Sequence, residues 1–134
     1  MDRVLFQKLE RLKEELFYLK NNKTYLIKKL QTSLDAKKIT ERSVYLCAEI
    51  VLDIADLILV KKGFPKPSTY SDSIYKLGEY AVIPKGFASK FVYIAGLRNF
   101  LAHDYQKSTL PELERFLKSG IEDVEMFIKH IENL

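Results

Sequence analysis

The sequence predicts an all-α fold, an antiparallel bundle of four to five helices. Apolar residues recur at spacings of three and four through most of the chain, and no stretch sustains period-two alternation with hairpin turn chemistry. Only five glycines are available for turns, which also argues against a sheet. At 134 residues the chain, 1–134, reads as a single domain around one core. Hydrophobic residues make up 47% and charged ones 30%, the balance of a folded globular protein.

Leu5, Leu9, Leu12, Leu16 and Leu19 line one face of an amphipathic helix beginning near Asp2. Asn21 and Asn22 weaken it before the pattern resumes at Leu26, Ile27 and Leu30, so the first element is one bent helix or two short ones. Ser33 or Asp35 caps a second helix running to about Lys62, where Gly63, Pro65 and Pro67 make continuation costly. Apolar side chains between Val44 and Val60 cover most of its circumference and leave Arg42, Glu49, Asp53 and Asp56 on one narrow stripe. It is a central helix with one polar seam. A short helix within residues 68–81 carries Tyr70, Ile74 and Leu77 and closes before Pro84. A fourth helix starts near Pro84, turns Phe87, Phe91, Ile94, Leu97 and Leu101 inward and ends after His103. In the last helix, Thr109 and Glu112 have capping-box spacing and Pro111 falls in the first turn. Leu113, Phe116, Leu117, Val124, Phe127, Ile128 and Ile131 form its core face.

The formal charge of +4 permits an anionic partner without specifying one. The single cysteine, Cys47, excludes an intramolecular disulfide and a multi-cysteine zinc site, and its apolar surroundings predict a buried, inert thiol. Residues 1–13 lack an unbroken signal-peptide core and no apolar run reaches membrane-spanning length, so the expectation is a cytoplasmic protein with no membrane contact. Lys20, Lys23, Lys28, Lys29, Lys37 and Lys38 read as a solvated surface, with RNA guidance as the alternative.

On a helical wheel with Phe87 at the origin, Arg98 falls at about 20°, in the middle of the apolar face beside Phe91, Ile94 and Ala102. An isolated buried cation costs several kcal/mol, so a carboxylate or an anionic ligand must face it. Glu49 and Asp53, four residues apart on the seam, are the candidates. His103 lies about 140° from Arg98, in line with Ser89 and Gly96. Those small residues let another helix approach, including one from a second copy of the chain. Asn99, one turn before His103, is spaced to fix its tautomer. His130 has no such surroundings and reads as solvent-facing. A rival reading gives Glu49, Asp53 and Asp56 to magnesium or manganese; an ion-pair network is the simpler account of that seam.

The run Arg98, Asn99, Phe100, Leu101, Ala102, His103, Asp104, Tyr105 resembles the R-x4-H-x-Y signature of HepT-type toxins in the HEPN helical-domain family. The likeness extends to residues 67–70, to residues 77–84 and to Arg42, and covers the chain from about Ala36 to the C-terminus. The first helix agrees only in being amphipathic, and Leu97 stands where relatives often carry an aromatic residue.

The resemblance implies a homodimer in which two motif copies form one composite, metal-independent endoribonuclease site, the toxin of a type VII-like toxin–antitoxin pair. Arg98 and His103 are then catalytic: His103 for proton transfer, Arg98 for phosphate binding and transition-state stabilisation, with no metal or other cofactor. Asn99, Tyr105, Glu49 and Asp53 support them. RNA, either tRNA or mRNA, is the implied substrate. Tyr105 is the implied site at which a cognate minimal nucleotidyltransferase antitoxin attaches AMP and silences the toxin. An unbroken helix would hold Tyr105 about 160° from His103, so the helix is expected to loosen after Ala102 or His103. The alternative is a non-catalytic nucleotide- or substrate-binding subunit of a two-component nucleotidyltransferase.

Overall fold

The Asp2 carboxylate accepts the Leu5 N–H at 3.0 Å and starts helix α1 (Arg3–Asn21), whose leucines 5, 9, 12, 16 and 19 are all buried. The structure is a computed structural model and describes residues 2–103 and 107–134. Asn22 interrupts the first run with φ −107° and ψ 9°, so a separate helix, α2 (Lys23–Lys29), follows. Of the two forms the first element allows, two helices is the one found.

Ser33 caps α3 (Leu34–Lys61), its hydroxyl accepting the Ala36 N–H at 3.1 Å. The end of α3 is closed by Gly63 at φ +73°, a left-handed conformation that glycine adopts without a Cβ penalty. The Gly63 N–H then reaches the Val60 carbonyl and the Phe64 N–H the Leu59 carbonyl, each at 3.0 Å, which satisfies carbonyls the helix would leave orphaned. Thr69 caps α4 (Tyr70–Glu79) by accepting the Asp72 N–H at 3.0 Å.

The predicted fourth helix is divided into α5 (Lys85–Phe91) and α6 (Tyr93–His103). At the break the Ala95 N–H bonds the Val92 carbonyl three residues back, a tightened turn that no glycine or proline announces. The last run is divided too: α7 (Leu110–Arg115), a π-turn (Phe116–Gly120) and α8 (Ile121–Glu132). A Cβ on Gly120 would lie 2.5 Å from the Phe116 ring, which accounts for glycine where the π-turn folds that ring back. The expected capping box is not formed. Thr109 has helical backbone angles and donates its hydroxyl to Glu41 at 2.9 Å instead.

Among the described residues these segments are eight α-helices and one π-turn, and no described residue lies in a strand. Helix α3 is the hub, packing against α1, α2, α4, α6 and α7, while α8 packs on α1. Val44, Cys47, Ala48, Val51, Leu52, Ile54, Ala55 and Leu59 give α3 its fully enclosed faces. Desolvation pushes the Cys47 thiol far above the usual thiol range, so it packs as an inert apolar residue. No helix among the described residues is long and apolar enough to cross a membrane.

Gly78 lies at a close approach of α4 to α5, since a Cβ there would come 2.6 Å from Ala88 Cβ. Alanine would gain up to about 1 kcal/mol in helix propensity but incur an overpacking cost of about 1–3 kcal/mol. Gly78→Ala is therefore expected to destabilise the fold by about 1 kcal/mol, read as a lower urea midpoint with an unchanged slope.

Candidate functional site

Among the described residues, one ion pair joins the polar seam of α3 to the motif helix α6. Arg98 Nε donates to Glu49 Oε2 at 2.8 Å, with the two side chains 16% and 25% exposed. Desolvation alone would raise the Glu49 pKa, but hydrogen bonds from Arg98 and the Tyr45 phenol outweigh it and hold the carboxyl below its ordinary value. The bond to Glu49 in turn raises the Arg98 pKa. The guanidinium lies 4.8 Å from the centre of the Tyr70 ring and 5.8 Å from that of Tyr45, both within cation–π range. Its Nη1 also donates to Asn99 Oδ1 at 3.2 Å. The cation is therefore fixed on several sides before any ligand arrives.

The other seam carboxylates have different partners. Asp53 lies 3.7 Å from Lys8, and Asp56 accepts the Ser73 hydroxyl at 2.6 Å. Of the two carboxylates proposed for Arg98, Glu49 reaches it and Asp53 does not. Desolvation raises the Asp53 pKa, with Glu49 and Asp56 reinforcing the effect and Lys8 opposing it. Among the described residues no three metal-ligating side chains converge, on this seam or elsewhere.

Arg98 and His103 line one open cleft of about 550 Å³, together with Lys38, Glu41, Arg42, Tyr45, Leu101 and Ala102. Lys38, Arg42 and Arg98 give its wall positive character against the single carboxylate of Glu41. His103 is exposed at the end of α6. Among the described residues Asn99 bonds Arg98 and not His103, so its observed contact orients the cation and not the imidazole. Ser89 lies on α5, before the break at Val92, so the continuous small-residue stripe shortens to Gly96 and His103 on α6. Gly96 is exposed, with nothing within 4 Å of an added Cβ. Tyr105, with the expected loosening of the helix before it, lies outside the described residues. His130 is half-buried, its ring 5.1 Å from that of Phe87, and not solvent-facing as expected.

Tyr45 and Tyr70 join the site beside the residues to which the sequence points. Tyr70 has the helical spacing of a core position, whereas Tyr45 stands four residues before Glu49 on the seam, a signal that was available.

The chain is thus an all-α helical-domain protein in which an ion-paired arginine and an exposed imidazole line one cleft. The chain belongs to the HepT-like ribonuclease family, whose profile, described as "Ribonuclease HepT-like", matches residues 7–131, so the likeness includes the first helix as well. It is 24% identical over 128 residues to the tRNA nuclease HepT of Aphanizomenon flos-aquae, covering 96% of this chain and 87% of that one. It is 30% identical over 82 residues to the mRNA nuclease HepT of Shewanella oneidensis, covering 61% and 62% respectively. The fold superposes with a TM-score of 0.89, at 22% identity and full coverage of both chains, on a tri-AMPylated Shewanella oneidensis HEPN toxin solved in complex with its MNT antitoxin.

Because the Glu49 carboxyl is held below its ordinary value, its stabilising contribution is complete above the unfolded-state pKa and is lost as pH falls through the folded-state value. In urea titrations, stability is expected to fall less steeply below about pH 4.3 for Glu49→Gln than for the unaltered chain.

Proposed function

We propose that the chain is a metal-independent endoribonuclease that acts as the toxin of a type VII-like toxin–antitoxin pair. The observation that carries this reading is the Arg98 guanidinium, caged by Glu49 and Tyr70, in the same cleft as the exposed His103. The names of the two curated relatives, a tRNA nuclease and an mRNA nuclease, support RNA as the substrate class.

RNA carries its own nucleophile, and the two side chains supply what its 2′-hydroxyl lacks. His103 of one copy takes the proton as the 2′ oxygen attacks the adjacent phosphorus. Arg98 donates to the non-bridging oxygens, where charge accumulates in the transition state. The 5′ oxygen leaves with a proton from the imidazole of the second copy, and the products end in a 2′,3′-cyclic phosphate and a 5′-hydroxyl. No cofactor enters this scheme. A homodimer is supported by the face that His103 shares with Gly96. An exposed glycine inside a helix costs about 1 kcal/mol relative to alanine, and the open space beside it admits a second helix. Partnership with a cognate nucleotidyltransferase, and AMP attachment at Tyr105, rest on the tri-AMPylated relative and the matching motif. Phosphate charge placed two residues beyond His103 would repel and obstruct RNA. The reading also places the protein in the cytoplasm.

Expression of the unaltered chain without an antitoxin is expected to arrest bacterial growth, and Arg98→Ala or His103→Ala to relieve the arrest. In vitro, His103→Ala should slow RNA cleavage by roughly 10²–10⁴-fold, and activity should persist in EDTA. A harmless wild-type chain that cleaves no RNA would favour the non-catalytic binding subunit, and activity restored only by magnesium would remove metal independence. Gly96→Leu is expected to shift the protein from dimer towards monomer in light scattering.

A further inference from the structure

Cleavage at Arg98 and His103 engages one phosphate, yet the cleft that holds them continues along α3. Lys38, Arg42 and Tyr45 follow one another at spacings of four and three on one face of that helix, and Glu49, which anchors Arg98, is four residues further on. The guanidinium carbons of Arg42 and Arg98 each lie 5.8 Å from the centre of the same Tyr45 ring. The two cations are thus separated by no more than twice that distance, a gap that nearby phosphates of one strand can bridge. Lys38 stands one helical turn beyond Arg42, about 5.4 Å along the axis.

Their surroundings suit a ligand. Lys38 and Arg42 are exposed, and among the described residues neither has a carboxylate within ion-pair distance, whereas Lys13, Lys20, Lys61 and Lys118 are each paired. Glu41, the carboxylate in the cleft lining, accepts the Thr109 hydroxyl at 2.9 Å. The Tyr45 ring stands between the two guanidiniums, within cation–π range of each.

We propose that Arg42, backed by Lys38, forms a second phosphate subsite that holds the nucleotide next to the scissile one and draws an RNA strand along α3. This inference rests on the ribonuclease reading above.

The test compares the unaltered protein, Arg42→Gln, Arg42→Lys and Lys38→Gln on a dinucleotide containing only the scissile phosphate and on longer oligoribonucleotides. On longer RNA, Arg42→Gln is expected to raise KM roughly tenfold and leave kcat unchanged. It should also flatten the dependence of log KM on log salt by about 0.7, the value of one lost contact on a single strand. On the dinucleotide it should behave as the unaltered protein does. Arg42→Lys should recover the salt dependence, and Lys38→Gln should give a smaller change in the same direction. An unchanged KM and salt slope on longer RNA would overturn the subsite, as would an equal loss on both substrates, which would move Arg42 to the scissile phosphate. If the unaltered protein cleaves none of these RNAs, the ribonuclease reading falls and the subsite with it, a result distinct from a failure of Arg42→Gln alone.

Discussion

The bond between Arg98 and Glu49 is the constraint on which the arrangement of the motif helix depends. The Arg98 guanidinium is partly buried where α6 crosses α3, so a register of α6 with no carboxylate opposite it would leave a partly desolvated charge unpaired. Glu49 meets that requirement directly, while Tyr70, Tyr45 and Asn99 occupy much of the remaining surface of the cation. Such a pair adds little net stability compared with apolar residues of the same size. Its consequence lies in geometry: one rotation and one height of α6 satisfy it.

Once Arg98 is fixed facing α3, the turn angle of the helix decides where the rest of the motif goes. His103, five residues later, is rotated by about 140° and reaches the rim of the cleft. Gly96 shares that outward side. The chain therefore sets a cation held by side chains of α3 and α4 and an exposed imidazole at two places along one cleft. In the proposed dimer, approach of a second α6 over Gly96 brings two such imidazoles together while each arginine stays in its own cage. Preorganisation of this kind favours transition-state binding, because the cation does not have to be reoriented when charge develops.

Much of this was legible before any coordinates. The leucine register of α1, the stop at Gly63 and the charge set in the apolar face of α6 each follow from one physical rule applied to a few residues, whereas the cap of α3 is narrowed by sequence only to Ser33 or Asp35. What the pattern left open was set by packing. Glu49 and Asp53 are one turn apart on the same face, and only the height at which α6 crosses α3 decides between them; Lys8 on α1 then takes Asp53. The breaks at Val92 and in the π-turn at residues 116–120 carry no proline signal, and the first carries no glycine either. They are tertiary adjustments of otherwise continuous patterns, and the first of them separates Ser89 from the stripe that ends at His103. Helical spacing does not separate a core role for Tyr70 from its place beside Arg98, because it is the same whether a ring faces leucine or a guanidinium.

The central claim is that RNA supplies the nucleophile and the Arg98–His103 pair completes the chemistry. Its most direct measurement is cleavage of an oligoribonucleotide in which the nucleotide 5′ to the mapped scissile phosphate has its 2′-hydroxyl replaced by hydrogen. The account predicts that this position alone becomes resistant while the all-ribose strand is cut to a 2′,3′-cyclic phosphate end. Cleavage of the substituted bond at an undiminished rate would contradict it.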